Sequence, residues 1–171
     1  MRKLGWIVMA SLLGTGYAEA AKAVAIVQGT SPTADVKGTI TFEDTAAGVH
    51  VMGQIDKAPA GDHGFHIHEF GVCGDSGKAA GGHYNPTHAP HGHITDGGLT
   101  KAHAGDLGNM TIAADGTGKI DAIIPQITVT GGPMAIAGRA VILHEKADDF
   151  GQPVGNAGGR IGCGVITITA N

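Results

Sequence analysis

Apolar residues along this chain alternate with polar or glycine residues and do not recur at helical spacing, the pattern of short strands with one buried face. The alternation predicts eight strands: Lys22 to Gln28, Val36 to Glu43, Val49 to Asp56, Gly64 to Glu69, Asn109 to Ala113, Gly118 to Ile124, Gly138 to Glu145 and Gly162 to Thr169. Asp115-Gly116 supplies a tight hairpin turn between the fifth and sixth. Eight antiparallel strands in one domain predict an all-β fold, a sandwich or flattened barrel. Two long segments lack the pattern, Phe70 to Asp106 and Lys146 to Arg160, and they hold histidines, aspartates and an arginine. Loops of that length in a compact domain are usually functional. No internal repeat and no second domain is visible.

Composition adds to this picture at three points. Gly makes up 30 of the 171 residues, against a usual share of about 7%, as expected of a chain rich in turns. The N-terminus departs from the strand pattern: Arg2 and Lys3 precede an apolar run from Leu4 to about Tyr17, and Ala18-Glu19-Ala20 offers a small-x-small cleavage site. That is the layout of an export signal over residues 1–20, leaving 21–171 as the mature domain. The run is shorter than the roughly 20 apolar residues a membrane span needs, so the mature form is expected off the membrane. Removing two cations and one anion changes the formal charge from −4 to −5, which leaves a nucleic-acid role without an electrostatic footprint. Export to an oxidising compartment, the periplasm of a bacterial source, invites a disulfide between Cys73 and Cys163; two free thiols or soft metal ligands are the alternatives.

The histidines carry the chemistry. Eight of the ten lie between His63 and His103, and a ninth, His144, stands in His-Glu-Lys-Ala-Asp-Asp. With four Phe, one Trp and two Tyr in the whole chain, such a density of imidazoles points to transition metals. In Gly64-Phe65-His66-Ile67-His68-Glu69, strand parity sends His66 and His68 to one face and Phe65 and Ile67 to the other. Two imidazoles on one rigid strand are half a metal site.

The blocks that follow in order are Gly81-Gly82-His83-Tyr84-Asn85-Pro86, His91, His103-Ala104-Gly105-Asp106-Leu107-Gly108-Asn109, Leu143 to Asp149, and Gly158-Gly159-Arg160-Ile161-Gly162-Cys163-Gly164. Together they resemble copper,zinc superoxide dismutase, in the manner of an exported bacterial member, from about Lys22 to the C-terminus. The resemblance implies an eight-stranded antiparallel Greek-key barrel or sandwich with two long functional loops. It implies copper ligands at His66, His68 and His144, a copper–zinc bridge at His83, and zinc ligands at His91, His103 and Asp106. It makes Asp148 the carboxylate that orients His66 and His91, His63 a structural histidine bonded to backbone, and Arg160 the guanidinium that docks an anion. His88 and His93 flank His91 and stay open as substitutes at zinc, while His50 is read as a strand side chain without a metal role.

The reaction implied is disproportionation of superoxide to dioxygen and hydrogen peroxide, with His83 leaving copper on reduction, taking a proton and returning it to the peroxide. Departures from the family are also visible. Cys73 follows His68 closely, the segment between His91 and His103 is long, and Lys146 to Arg160 holds no second lysine or glutamate pair, so steering beyond Arg160 is expected to be reduced. Phe70-Gly71 and Gly164 to Ile168 resemble surfaces by which animal and plant members form dimers, so a homodimer is expected, with another dimer face or a monomer the alternatives for an exported bacterial member. The competing function is an exported copper or zinc carrier without turnover, which has no evident use for Arg160.

Overall fold

The computed structural model describes residues 19–169, so the predicted export segment lies outside it except for its last two positions. Among the described residues no helix is long and apolar enough to cross a membrane. The strands are β1 (Lys22–Gly29), β2 (Lys37–Thr45), β3 (Gly48–Asp56), β4 (Gly61–His68), β5 (Asp106–Ile112), β6 (Gly118–Ile124), β7 (Ala140–His144) and β8 (Arg160–Ile168). They close a barrel in the order β1-β2-β3-β6-β5-β4-β7-β8, every pair antiparallel. Because β3 pairs with β6 and β4 with β7, the connections cross over as in a Greek key, and closure removes the exposed edges a sandwich would keep.

Alternation gives the barrel its interior. Ala25, Ile40, Phe42, Val51, Ile55, Phe65, Ile67, Leu143 and Ile166 are fully or almost fully buried in one core, each large side chain contributing roughly 1.5–3 kcal/mol on burial. On β4 and β7 the outer face is buried as well. There Ala140 and Ile142 form a second, smaller cluster with Ala80 and Cys163, because the long connections fold back over this side. Parity therefore sends Phe65, Ile67, Val141 and Leu143 into the barrel, and His66, His68 and His144 outward beneath the loops.

Most strand ends differ from the predicted ones by one or two residues, and two differ by three. Strand β4 begins at Gly61 and β5 at Asp106, each three residues early, because polar residues pair there without the apolar alternation that marks a strand; a register shift between Gly64 and His66 puts Asp106 opposite His66. Strand β7 is confined to Ala140–His144. A third long connection, residues 125–139, was hidden by its apolar content: Ile127, Val129 and Ile136 join the core from it, and Thr128 makes an isolated bridge to Ala135. The segment between β4 and β5 is not featureless, with short turns of helix at Lys78–Ala80, Ile94–Gly97 and Gly98–Thr100.

Candidate metal centre

His66 and His68 on β4 face His144 on the neighbouring β7, and rigid pairing, Phe65 to Leu143 through His68 to Ala140, fixes their spacing. The chain then returns His83 to the same place. His68 and His83 form an isolated bridge, flanked by hydrogen bonds from the N–H of Glu69 to the Gly82 carbonyl and from the N–H of Tyr84 to the Ile67 carbonyl. Further on, the N–H of Ile67 donates to Gly105, and the N–H of Gly105 donates to Tyr84, tying the start of β5 to the same edge. Backbone lacing thus holds His83 against His66 and His68, with ring centroids 4.2 and 5.0 Å apart.

Two donor groups result, both buried: His66, His68, His83 and His144, and His83, His91, His103 and Asp106. Within each group the ligand atoms lie within 4.8 Å of one another, and His83 belongs to both. Asp106 Oδ1 is 2.9 Å from His83 Nδ1 and 3.1 Å from His103 Nδ1, and Oδ2 is 2.9 Å from His91 Nδ1. Ligand atoms around a tetrahedral zinc at about 2.0–2.1 Å would be roughly 3.3 Å apart. His66 Nδ1, His91 Nδ1 and His144 Nδ1 are buried without a well-directed hydrogen bond, His91 Nδ1 despite the nearby Asp106 Oδ2, a costly state unless a cation or a carboxylate partner takes up the polar atom. His68 Nε2 and His144 Nε2 approach to 3.3 Å, while His68 Nδ1–H donates to the Gly81 carbonyl at 3.0 Å and so leaves the Nε2 lone pair free. The donor sets fit: four imidazoles suit copper, and three imidazoles with one carboxylate suit zinc.

Asp148 joins the two groups from outside. Its Oδ2 accepts from His66 Nε2–H at 2.8 Å and from His91 Nε2–H at 2.9 Å, which turns the opposite Nδ1 of each ring inward. Asn109 fixes Asp148 in turn, donating Nδ2–H to its carbonyl at 2.9 Å and accepting its N–H at 2.7 Å. Gly155 makes the wrap possible, for at its φ of +77° a Cβ would lie 1.8 Å from Asp148 Oδ1 and 2.5 Å from His91 Nε2.

Charge follows the packing. Burial holds His66 down to about 4, His144 to about 3 and His68 to about 2, so all three are neutral bases at any physiological pH. At His91 burial works against the Asp106 and Asp148 carboxylates, which prevail and raise it to about 8. Burial likewise opposes ionisation of Asp106, yet the His103, His83 and His91 rings hold its carboxyl far below the usual range. Asp148, raised by burial and lowered more by His66 and His91, comes to about 2.

Arg160 stands opposite His144 in the β7–β8 pairing. Its guanidinium donates Nη1–H to the Gly77 carbonyl and Nη2–H to the Gly81 carbonyl, each at 2.6 Å, which uses two of its five N–H donors. Together with His68, His83 and His144 it lines an open cavity of about 190 Å³ rimmed by Val154 and Asn156. Cys73 and Cys163 form a disulfide with Cα atoms 5.7 Å apart, so neither is free to act as a soft ligand. It pins Cys73, upstream of Gly77 and Gly81, to β8 three residues beyond Arg160, and Thr30 Oγ1–H donates to the Arg160 carbonyl.

The other histidines stand apart. His63 nitrogens lie 2.8 Å from the His144 carbonyl and 2.9 Å from the Pro59 carbonyl, a backbone tie beneath the site. His88 is exposed at a φ of +54°, His93 pairs with Asp96 at 3.3 Å, and His50 pairs with Asp121 at 2.7 Å; among the described residues none of the three joins either donor group. Sequence reasoning overlooked Asn109, Gln152 and Val154. Asn109 stood inside the quoted His103 block, whereas an exposed Gln152 carries no signal of its own.

A closed antiparallel barrel with two donor groups sharing one imidazole defines a class, a β-barrel built for a pair of unlike metal ions. Comparison with known proteins makes the class specific. Residues 36–166 match the family model for copper/zinc superoxide dismutase. The chain is 39% identical over 158 residues to superoxide dismutase [Cu-Zn] 2 of Mesembryanthemum crystallinum, covering 88% of this chain and 97% of that protein. It is 36% identical over 160 residues to an extracellular superoxide dismutase [Cu-Zn] of Brugia pahangi, covering 88% of this chain and 77% of the other. A crystal structure of the clock protein EA4 superposes with a TM-score of 0.78 at 41% identity, over 92% of this chain and all of that one. The chain belongs to the copper/zinc superoxide dismutase family, enzymes that use copper and zinc to disproportionate superoxide.

Proposed function

We propose that the protein is an exported dismutase in which His66, His68, His83 and His144 hold copper, His83, His91, His103 and Asp106 hold zinc, and Arg160 docks superoxide. The observation that carries the division of labour is the membership of His83 in both donor groups while Arg160 shares its cavity. Copper supplies the one-electron oxidation and reduction that convert two superoxide ions and two protons into dioxygen and hydrogen peroxide, and zinc supplies none.

The protein's own residues do the rest. The spare N–H donors of Arg160 bind the incoming anion, a local attraction needed because the chain as a whole is net negative. His83 Nδ1 faces Asp106, so Nε2 is the nitrogen left for the copper side, the place where a proton is held in one half-reaction and passed to the departing peroxide in the other. Asp148 keeps His66 and His91 in one tautomer throughout. Val154 and Asn156 line the same small cavity of about 190 Å³.

Export draws support from the segment over residues 1–20, from the disulfide and from the word extracellular in the name of the Brugia pahangi relative; in a bacterial source the destination is the periplasm. A homodimer draws support from Phe70 and Ile168, each 56% exposed. The test is superoxide consumption by the mature protein loaded with copper and zinc, beside the metal-free form. Turnover that requires copper is expected. Tight binding of both metals without turnover would establish a carrier instead.

A further inference from the structure

We infer that Gln152 is a positioning residue for the zinc side of the centre, acting through the backbone of His91; the inference rests on the assignment of His91 to zinc. Gln152 Oε1 accepts the His91 N–H at 3.0 Å, and Gln152 Nε2–H donates to the His91 carbonyl at 2.8 Å. One amide thus clamps both polar groups of one residue, as a neighbouring strand would. Among the described residues those are the hydrogen bonds that the His91 main chain makes. Without them, two backbone groups beside a fully buried side chain would have to find other partners.

The clamp comes from the same short stretch that supplies Asp148. Asp149 N–H donates to the Gly155 carbonyl and Gly155 N–H to the Gly151 carbonyl, closing residues 149–155 into a compact loop. The Phe150 ring in this loop runs nearly parallel to the His91 ring, with centroids 6.4 Å apart. The loop therefore grips His91 on Nε2 through Asp148 and on its peptide groups through Gln152. His66 and His68 need no such device, since β4 orients their backbone. Gln152 has an exposed side chain, so changing it leaves the core untouched.

The test uses the whole mature protein with copper and zinc bound, comparing Gln152→Met, which removes both hydrogen bonds at similar length, with Gln152→Glu, which keeps the acceptor for the His91 N–H. Zinc release to a chromophoric chelator and amide hydrogen exchange across residues 85–93 are the readouts. Gln152→Met is expected to weaken zinc binding by roughly 10–100-fold, the usual cost of losing a residue that orients a ligand, with faster exchange at His91 and copper retained. Gln152→Glu is expected to fall between Gln152→Met and the parent. Parental zinc release from Gln152→Met, beside zinc loss in His91→Ala, would overturn the positioning role alone. If His91→Ala also kept its zinc, the ligand assignment would fail and the inference with it.

Discussion

The two halves of the centre are built from different materials. On one side His66, His68 and His144 stand on adjacent strands whose ladder fixes their spacing. On the other, His91 and His103 stand on the long connection before β5, and their places are set by side chains: Asp106, Asp148, Gln152 and the hydrogen bond from the His103 N–H to Asp106 Oδ2 at 2.9 Å. The barrel ladder sets the spacing of His66, His68 and His144, with Asp148 and the Gly81 carbonyl turning the His66 and His68 rings, whereas the second group depends on its own polar network and on the ion it is made to bind. Under the proposed assignment the redox ion has ligands on paired strands, and the structural ion serves as the staple of a loop.

Breaking one ligand on each side gives the largest contrast. His144→Ala is expected to abolish superoxide consumption while the protein stays folded and keeps zinc, since β7 loses one outward side chain and none of its inward ones. His91→Ala is expected to lose zinc first, with accelerated hydrogen exchange confined to the loops and residual copper-dependent activity. Equal loss of activity and order in both variants would contradict the comparison.

Arg160 lies where the two kinds of support meet, its backbone on β8 and its guanidinium held by loop carbonyls. Arg160→Glu should lower the second-order rate by roughly 10 to 1,000-fold, the range that electrostatic steering covers, and invert its salt dependence. A variant with the parental rate and salt response would remove Arg160 from the anion path.

Acid and base should separate the halves in the metal-free protein, with a smaller effect. His66, His144 and His68 have native values near 4, 3 and 2 against 6.5 unfolded; the unfolded chain binds more protons in that window, so stability falls as pH drops below 6.5. His91 runs the other way: raised to about 8, it contributes stability that is fully present below 6.5 and is lost as pH rises through 8. The urea midpoint of metal-free protein is therefore expected to peak near pH 6.5 and decline on both sides. A midpoint still climbing at pH 8.5 would show that the His91 carboxylate contacts contribute nothing.

The same contrast explains what the sequence revealed. Strand parity is local, so the outward pair His66 and His68 could be read from six consecutive residues, and the alternation located all eight strands. The choice of His91 over His88 and His93 had no such local basis. It depends on Asp148 and Gln152, more than fifty positions away, and on a left-handed backbone that leaves His88 exposed. The early start of β5 was hidden because Asp106 pairs across a bulge with His66, where no apolar rhythm marks a strand. Residues 125–139 misled in the opposite sense, carrying core side chains without regular pairing.

The Gly81 carbonyl accepts from His68 Nδ1 and from Arg160 Nη2 at once. Its backbone, at a φ of +76°, has no room for a side chain, since a Cβ would lie 2.7 Å from the Phe70 ring. For anyone redesigning the cavity, Arg160 and His68 are in consequence one variable and not two: shifting the guanidinium releases or crowds the oxygen that sets the tilt of the His68 imidazole. A library that varies the arginine alone will vary the setting of the His68 ring along with it, and selecting for one will drag the other with it.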